Sequence, residues 1–111
     1  MALNDVAKNL MLTELSTVAT KIALLNASSV EISGGSPAYA RMSPTWGTPS
    51  TGVIAMTNDP IFNVPAGGVV ANVRLYNTAG DVQYGDFPVT SETFANQGNY
   101  TLTAFDINLN K

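Results

Sequence analysis

The side chains with the most evident chemical potential in this sequence are its carboxylates. They are Asp5, Glu14, Glu31, Asp59, Asp81, Asp86, Glu92 and Asp106. Two carboxylates that face each other would suit glycoside hydrolysis, and Asp81 and Asp86 bracket a turn-rich stretch that would offer oxygen ligands to calcium. Most of the acids lie at expected turns and strand ends, and no D-x-D-x-D-G loop is present. We therefore interpret them as solvated carboxylates, and we predict no catalytic residue and no bound metal.

The absence of two residue types and of one motif excludes several classes of functional site. The chain has no histidine and no cysteine, which excludes disulfides, Cys/His zinc sites, and Ser-His-Asp or Cys-His catalysis. The pairs Gly34-Gly35 and Gly67-Gly68 are not followed by the Lys-Ser/Thr of a phosphate-binding loop. Each pair is typical of a strand-to-strand turn. We expect a protein that is not an enzyme and has no cofactor.

The aromatic residues allow two interpretations. Trp46 and the tyrosines would form a sugar-stacking platform if they shared an exposed face, but core and subunit-contact positions suit them better. The tyrosines are Tyr39, Tyr76, Tyr84 and Tyr100. Trp46 lies between Pro44 and Pro49 in an expected loop, so we predict that its ring is a contact anchor.

Length and composition indicate one small soluble-type domain. The 111 residues are 45% apolar but only 12% charged, a balance opposite to that of disordered chains. The net charge of −3 leaves no basic footprint for nucleic acid. No apolar run is long enough to span a membrane, and the N-terminus lacks the charge and apolar stretch of a signal peptide. We expect synthesis and assembly in a cytoplasm.

The N-terminal segment has helical periodicity from about Asn4 to Ser16. Asn4 is the expected N-cap, and Leu12 falls on the more polar side. The apolar positions recur at three- and four-residue steps: Leu3, Val6, Ala7, Leu10, Met11, Leu15 and Val18. This stripe either covers an open face of the same domain or packs against other subunits, and we take Leu3, Val6 and Leu10 as candidate interface residues.

Short strands separated by turns follow the helix. The predicted strands are 21–25, 30–32, 39–42, 53–56, 61–64, 69–76, 82–84 and one long strand over 99–109, with a hairpin at Pro65-Ala66-Gly67-Gly68. We predict a mainly-β fold, a small antiparallel β-sandwich or barrel of about seven short strands preceded by one α-helix. Residues 1–20 would form the helical arm and residues 21–111 a single β-sandwich domain.

Several segments resemble a group of small proteins of tailed bacteriophages. They are Met1 to Leu15, the Gly-Gly-Ser-Pro-Ala-Tyr-Ala-Arg string from Gly34 to Arg41, Thr45-Trp46, Phe62 to Gly67, and Gln97 to Thr103. Proteins of this group are structural components of the virion and are often called tail fibre proteins. The resemblance implies a virion protein assembled in the host cytoplasm, and it brings no catalytic residues with it.

The preferred position in the particle is chosen from the size of the chain and not from any motif. A fibre shaft needs hundreds of residues or a repeat, whereas 111 residues suit a protein that decorates and cements the capsid. A small tail-fibre, tail-tip or baseplate accessory protein is the alternative, and a module that binds host carbohydrate is a third possibility. The expected partners are other copies of the chain, as a homotrimer, and the major capsid protein or tail proteins, without direct contact to nucleic acid or membrane.

Overall fold

The computed structural model describes residues 3–110, which form one α-helix and seven β-strands. The helix, α1, spans Asp5–Val18. The strands are β1 (Lys21–Leu25), β2 (Val53–Ala55), β3 (Ile61–Val64), β4 (Val69–Tyr76), β5 (Gln83–Thr93), β6 (Gly98–Thr101) and β7 (Asp106–Asn108). All strand pairs are antiparallel, so the predicted mainly-β fold with an N-terminal helix is confirmed. Met1, Ala2 and Lys111, at the outer ends of the two predicted domains, lie outside the described residues.

The larger sheet has three strands in the order β1-β4-β5. Ile22 pairs with Leu75 and Leu24 with Val73, and all four side chains are fully buried on one face. The outer edge of β1 is covered, because Ile22 exchanges backbone hydrogen bonds with Met42 and the Leu24 carbonyl accepts from the Ile32 amide. The strand β5 lies at the opposite edge, with β4 beside it on one side only.

The second layer is a two-stranded ribbon built in two parts. β3 pairs with β6, and β2 pairs with β7. Between these parts, the Leu102 amide donates to the Pro60 carbonyl and the Met56 amide donates to the Phe105 carbonyl, at 3.0 and 2.9 Å. The ribbon is therefore nearly continuous along residues 98–109.

The core lies between the three-stranded sheet and the ribbon. Its largest fully buried members include Phe62, Val64 and Ile54 from the ribbon and Val70 from the sheet. Strand alternation also places Ala23 and Leu25 on the other face of the sheet, where they too are fully buried. The segment between β1 and β2 runs along this side, so the sheet is covered on both faces near β1.

Three predictions about the strands are wrong, and the first is the hairpin. Ile61–Val64 and Val69–Tyr76 do not form a hairpin, because β3 pairs with β6 in the ribbon while β4 lies between β1 and β5. The turn at residues 65–68 does form, since the Gly68 amide donates to the Pro65 carbonyl, but it carries the chain from one layer to the other.

The last strand is also not continuous. Ala104 has a φ of +53°, in the left-handed region, and it interrupts the chain between β6 and β7. Leu102 and Phe105 are consequently both buried, although uninterrupted alternation places them on opposite faces. The segments 30–32 and 39–42, predicted as strands, make only isolated bridges through Glu31 and Met42.

Candidate interaction surface

Helix α1 begins at the predicted cap and packs on the strands with one narrow face. The Asn4 side-chain oxygen accepts from the Ala7 amide at 2.9 Å, which satisfies one of the free donors of the first turn. Leu12 is the buried residue of the helix, at 0% exposure. Leu12 lies on the more polar side of α1, together with Lys8 and Asn9, as the periodicity predicts. This side, and not the face of Leu3, Val6 and Leu10, is the one packed on the strands.

Polar contacts hold the same side of α1 against the chain end. The Lys8 ammonium donates to the Asn110 side chain at 2.7 Å, and the Asn9 side chain accepts from the Gly52 amide at 3.0 Å. A Cβ at Gly52 would lie 2.8 Å from the Asn110 side-chain oxygen, so glycine permits this close approach. The helix thus folds back on its own domain.

The opposite side of α1 carries the predicted interface residues. Leu3, Val6 and Leu10 are 44%, 69% and 67% exposed, and the neighbouring Met11 is 51% exposed. These four side chains define what we call the outer helix face. Contiguous exposed apolar side chains of this kind mark contact sites more often than isolated ones do.

Trp46, the fourth predicted interface residue, lies away from the outer helix face. Its indole N–H donates to the Ala19 carbonyl at 2.9 Å, just after the end of α1. Its ring lies 6.2 Å from the Phe105 ring, and the residue is half-buried against the core. The structure therefore gives Trp46 a role within the chain, in fixing the helix end to the ribbon, and its predicted intermolecular contact remains a prediction.

A polar network surrounds the edge of β1. Arg41 makes a bidentate ion pair with Glu31 at 2.9 and 2.8 Å, and the Tyr39 hydroxyl donates to the same carboxylate at 2.8 Å. The Tyr39 oxygen also accepts from the Leu24 amide. The hydrogen bonds from Arg41 hold the pKa of Glu31 below its usual range, while burial raises the pKa of the Tyr39 hydroxyl.

The network continues across the outer face of the sheet. The Arg41 guanidinium lies 3.7 Å from the centre of the Tyr76 ring, which is a cation–π contact. Arg74 donates to the hydroxyl of the same tyrosine at 3.3 Å and pairs with Asp86 at 2.8 Å. The pKa of Asp86 is lowered by the hydrogen bonds from Arg74. The two guanidinium groups and the two carboxylates leave the network with no net charge. Its hydrogen bonds and the cation–π contact fix the segment 31–41 to the sheet.

The sequence analysis did not predict this polar network, although the spacing of some of its residues is visible in the sequence. Tyr39 and Arg41, like Arg74 and Tyr76, are two residues apart, the spacing that places side chains on one face of an extended chain. The partners Glu31 and Asp86 are distant in sequence from the residues they bind, so sequence alone did not connect them.

The segments that carry the resemblance contact each other. The Gln97 side chain accepts from the Ser36 amide and donates to the Pro37 carbonyl, at 3.3 and 3.2 Å. The Tyr39 ring stacks on Phe62, 6.4 Å away. The strings 34–41, 62–67 and 97–103 thus meet at one corner of the fold, where their residue types serve packing and backbone hydrogen bonding.

The two acids that bracket the turn before β5 have partners within the chain. Asp81 accepts from the Asn77 side chain within the turn that precedes β5, and Asp86 is paired with Arg74. Within residues 3–110, no group of three acids is placed to hold a metal ion. The part of the chain that the structure describes also has no helix long and apolar enough to cross a membrane.

Comparison of the chain with protein-family models, with curated proteins and with solved structures finds no match.

Proposed function

We propose that this chain is a non-enzymatic structural protein of a bacteriophage virion, and that it decorates and stabilises the capsid as a homotrimer. The resemblance in the strings 34–41, 62–67 and 97–103 supports the virion assignment. The small size of the chain supports decoration over a fibre shaft. A position at the tail tip or baseplate is the alternative.

The outer helix face is the observation that carries this proposal. Full burial of a leucine, valine or methionine side chain contributes about 1.5–3 kcal/mol. Leu3, Val6, Leu10 and Met11 leave a large part of that free energy unused in the single chain, since each is at least 44% exposed. Contact between helices of neighbouring copies would recover it, and three such helices around a threefold axis form a closed assembly.

A decorating trimer would stabilise a shell by mass action. Any protein that binds the assembled shell and not its dissociated subunits shifts the equilibrium toward assembly. Three linked copies also bind more tightly than one, because the second and third contacts are intramolecular. This mechanism needs surface complementarity and no catalytic group.

The direct test adds the purified protein to phage heads that lack it and, in parallel, to isolated tails. We expect saturable co-sedimentation with heads and a higher temperature of DNA release. Val6→Asp and Leu10→Asp should weaken binding, whereas Thr48→Asp, at an exposed loop position outside α1, should not. Binding to tails and not to heads would place the protein in the tail and overturn the capsid proposal.

A further inference from the structure

A groove separates β5 from the C-terminal part of the ribbon. It encloses about 1110 Å³ and is lined by residues 87–92 on one side and residues 100–109 on the other. The Phe87 and Phe105 rings meet edge to face at its floor, with centres 5.4 Å apart. The two layers of the fold therefore touch below the groove and part above it.

The ribbon presents an unpaired backbone edge to this groove. The Leu102 and Leu109 amides donate to the Pro60 and Gly52 carbonyls, on the side of β3 and β2. Backbone groups of successive residues alternate in direction along a strand. The N–H and C=O groups of Thr101 in β6, and those of Asp106 and Asn108 in β7, consequently point away from β3 and β2, toward the groove.

The two backbone edges that border the groove differ in their capacity to form hydrogen bonds with an added strand. Residues 98–109 contain no proline, so each of their amides remains a donor. β5 has Pro88 near the middle of its edge, where a donor is missing. An added strand would therefore pair with the ribbon and pack its other edge against β5.

The floor suits the alternating side chains of an extended segment. Phe105 and Ile107 are buried there, and Phe87, Val89 and Tyr100 are half-buried. A segment of five to seven residues is about 17–23 Å long in the extended form. Every second side chain of such a segment would contact this apolar floor, and the others would face solvent.

The charge of the groove indicates the chemistry of its occupant. Its lining includes the acids Glu92 and Asp106, and no lysine or arginine of residues 3–110 lines it. Burial, with a further contribution from the nearby Glu92 carboxylate, raises the pKa of Tyr100. The Glu92 charge thus acts on a residue that lines the groove, and a basic segment would complement it.

Residues 3–110 of a second copy do not supply such a segment. Lys8 donates to Asn110, Lys21 donates to Ser43, and Arg41 and Arg74 are paired with carboxylates. Lys111, the remaining cation of the sequence, lies outside the described residues. None of the four described cations is available on a free extended strand.

We propose that the groove binds an extended segment of a different protein, which adds as a β-strand to the free edges of β6 and β7, on either side of the break at Ala104. The segment is apolar at alternate positions and carries lysine or arginine. Main-chain hydrogen bonds provide affinity, and the floor and the two acids provide selectivity. This interaction does not depend on the virion role.

The probe is a synthetic seven-residue peptide of alternating lysine and valine, capped at both ends, titrated into the ¹⁵N-labelled full chain. We expect amide resonances of Thr101, Asp106 and Asn108 to shift together. The same peptide with glutamate in place of lysine should bind more weakly. A peptide N-methylated at alternate amides should not bind, because its strand-pairing donors are blocked.

Matched variants locate the contact on the protein. Glu92→Gln and Asp106→Asn should each weaken binding about two- to fivefold at low salt, the range for exposed ion pairs. Asp59→Asn, which removes an exposed acid away from the groove, should leave the affinity unchanged. Shifts confined to other surfaces, or equal binding of the glutamate peptide, would overturn the proposal. Concentration-dependent shifts of Thr101 and Asp106 without peptide would instead identify a second copy as the occupant and overturn it too.

Discussion

Leu12 is the residue through which α1 packs on the core, so its truncation should be costly. Leu12→Ala should lower the free energy of unfolding by about 2–5 kcal/mol, because it removes buried methyl groups and leaves a cavity. Leu10→Ala changes the same residue type two positions earlier, where the side chain is 67% exposed. It should change the stability of the isolated chain by less than about 0.5 kcal/mol.

Urea denaturation of both variants measures this difference. The unfolding midpoints are to be compared at a protein concentration where the chain is monomeric, because assembly would add stability through the Leu10 side chain. Equal losses for the two variants would mean that the helix packs with its other face, and the orientation of α1 would have to be revised.

Glu31 makes the stability of the chain depend on acid pH. Its pKa is lowered in the folded chain, chiefly by the Arg41 hydrogen bonds, from an ordinary value near 4.5. The folded state therefore binds this proton less readily than the unfolded state. The stability that Glu31 contributes is complete above pH 4.5 and is lost as the pH falls through the lower folded pKa.

Glu31→Gln should accordingly cost about 1 kcal/mol at pH 7, the lower end of the range for lost hydrogen bonds, since the pair is partly exposed. The difference from the unaltered chain should shrink below pH 4.5, as Glu31 becomes neutral there. Denaturation midpoints between pH 7 and pH 3 give the two curves. Asp86 is present in both proteins, so its contribution to the pH dependence cancels in the comparison. Stability curves of the two proteins that stay parallel down to pH 3 would contradict the role given to Glu31.

At the scale of elements, the break between β6 and β7 depends on one backbone conformation. Ala104 has a positive φ, which strains a residue with a Cβ and not glycine. Ala104→Gly should raise the free energy of unfolding by about 0.5–1 kcal/mol. Ala55→Gly, in the exposed part of β2, should lower it by a similar amount because glycine weakens a regular strand. Thermal unfolding distinguishes the two signs, and a loss of stability in both variants would count against the break at residue 104.

The elements that could be predicted are those with a strong local signal. The Asn4 cap, β1 and β4 lie where the sequence places them, because a capping side chain and an apolar run do not depend on distant partners. Most of β5 went unpredicted. It is an edge strand with few buried side chains, and it includes Gly85 and Pro88, so it lacks a hydrophobic alternation.

The pairing of the strands and the side of α1 that faces solvent could be determined only from the structure. Glycines at residues 67 and 68 indicate a turn, but they do not show whether the strands beside it pair with each other or belong to different layers. The groove combines residues 87–92 with residues 100–109, and its existence depends on β5 and the ribbon having no strand between them. Candidate contact residues such as Val6 and Leu10 were identifiable from periodicity, whereas the side of the helix that faces outward was not.

At the scale of the whole molecule, the chain is extended for its length. Its dimensions are 46 × 25 × 22 Å and its radius of gyration is 14.7 Å, against about 13 Å for a compact domain of this size. An extended body with an exposed apolar helix face has more surface available for assembly than a compact one. The proposed homotrimer predicts that sedimentation equilibrium will show a concentration-dependent species with three times the mass of the 11.6 kDa chain. Leu10→Asp should dissociate it without changing the circular dichroism of the monomer, and Thr48→Asp should leave it intact. A chain that stays monomeric would mean that another protein covers the outer helix face, and a trimer that tolerates Leu10→Asp would mean that copies associate through a different surface.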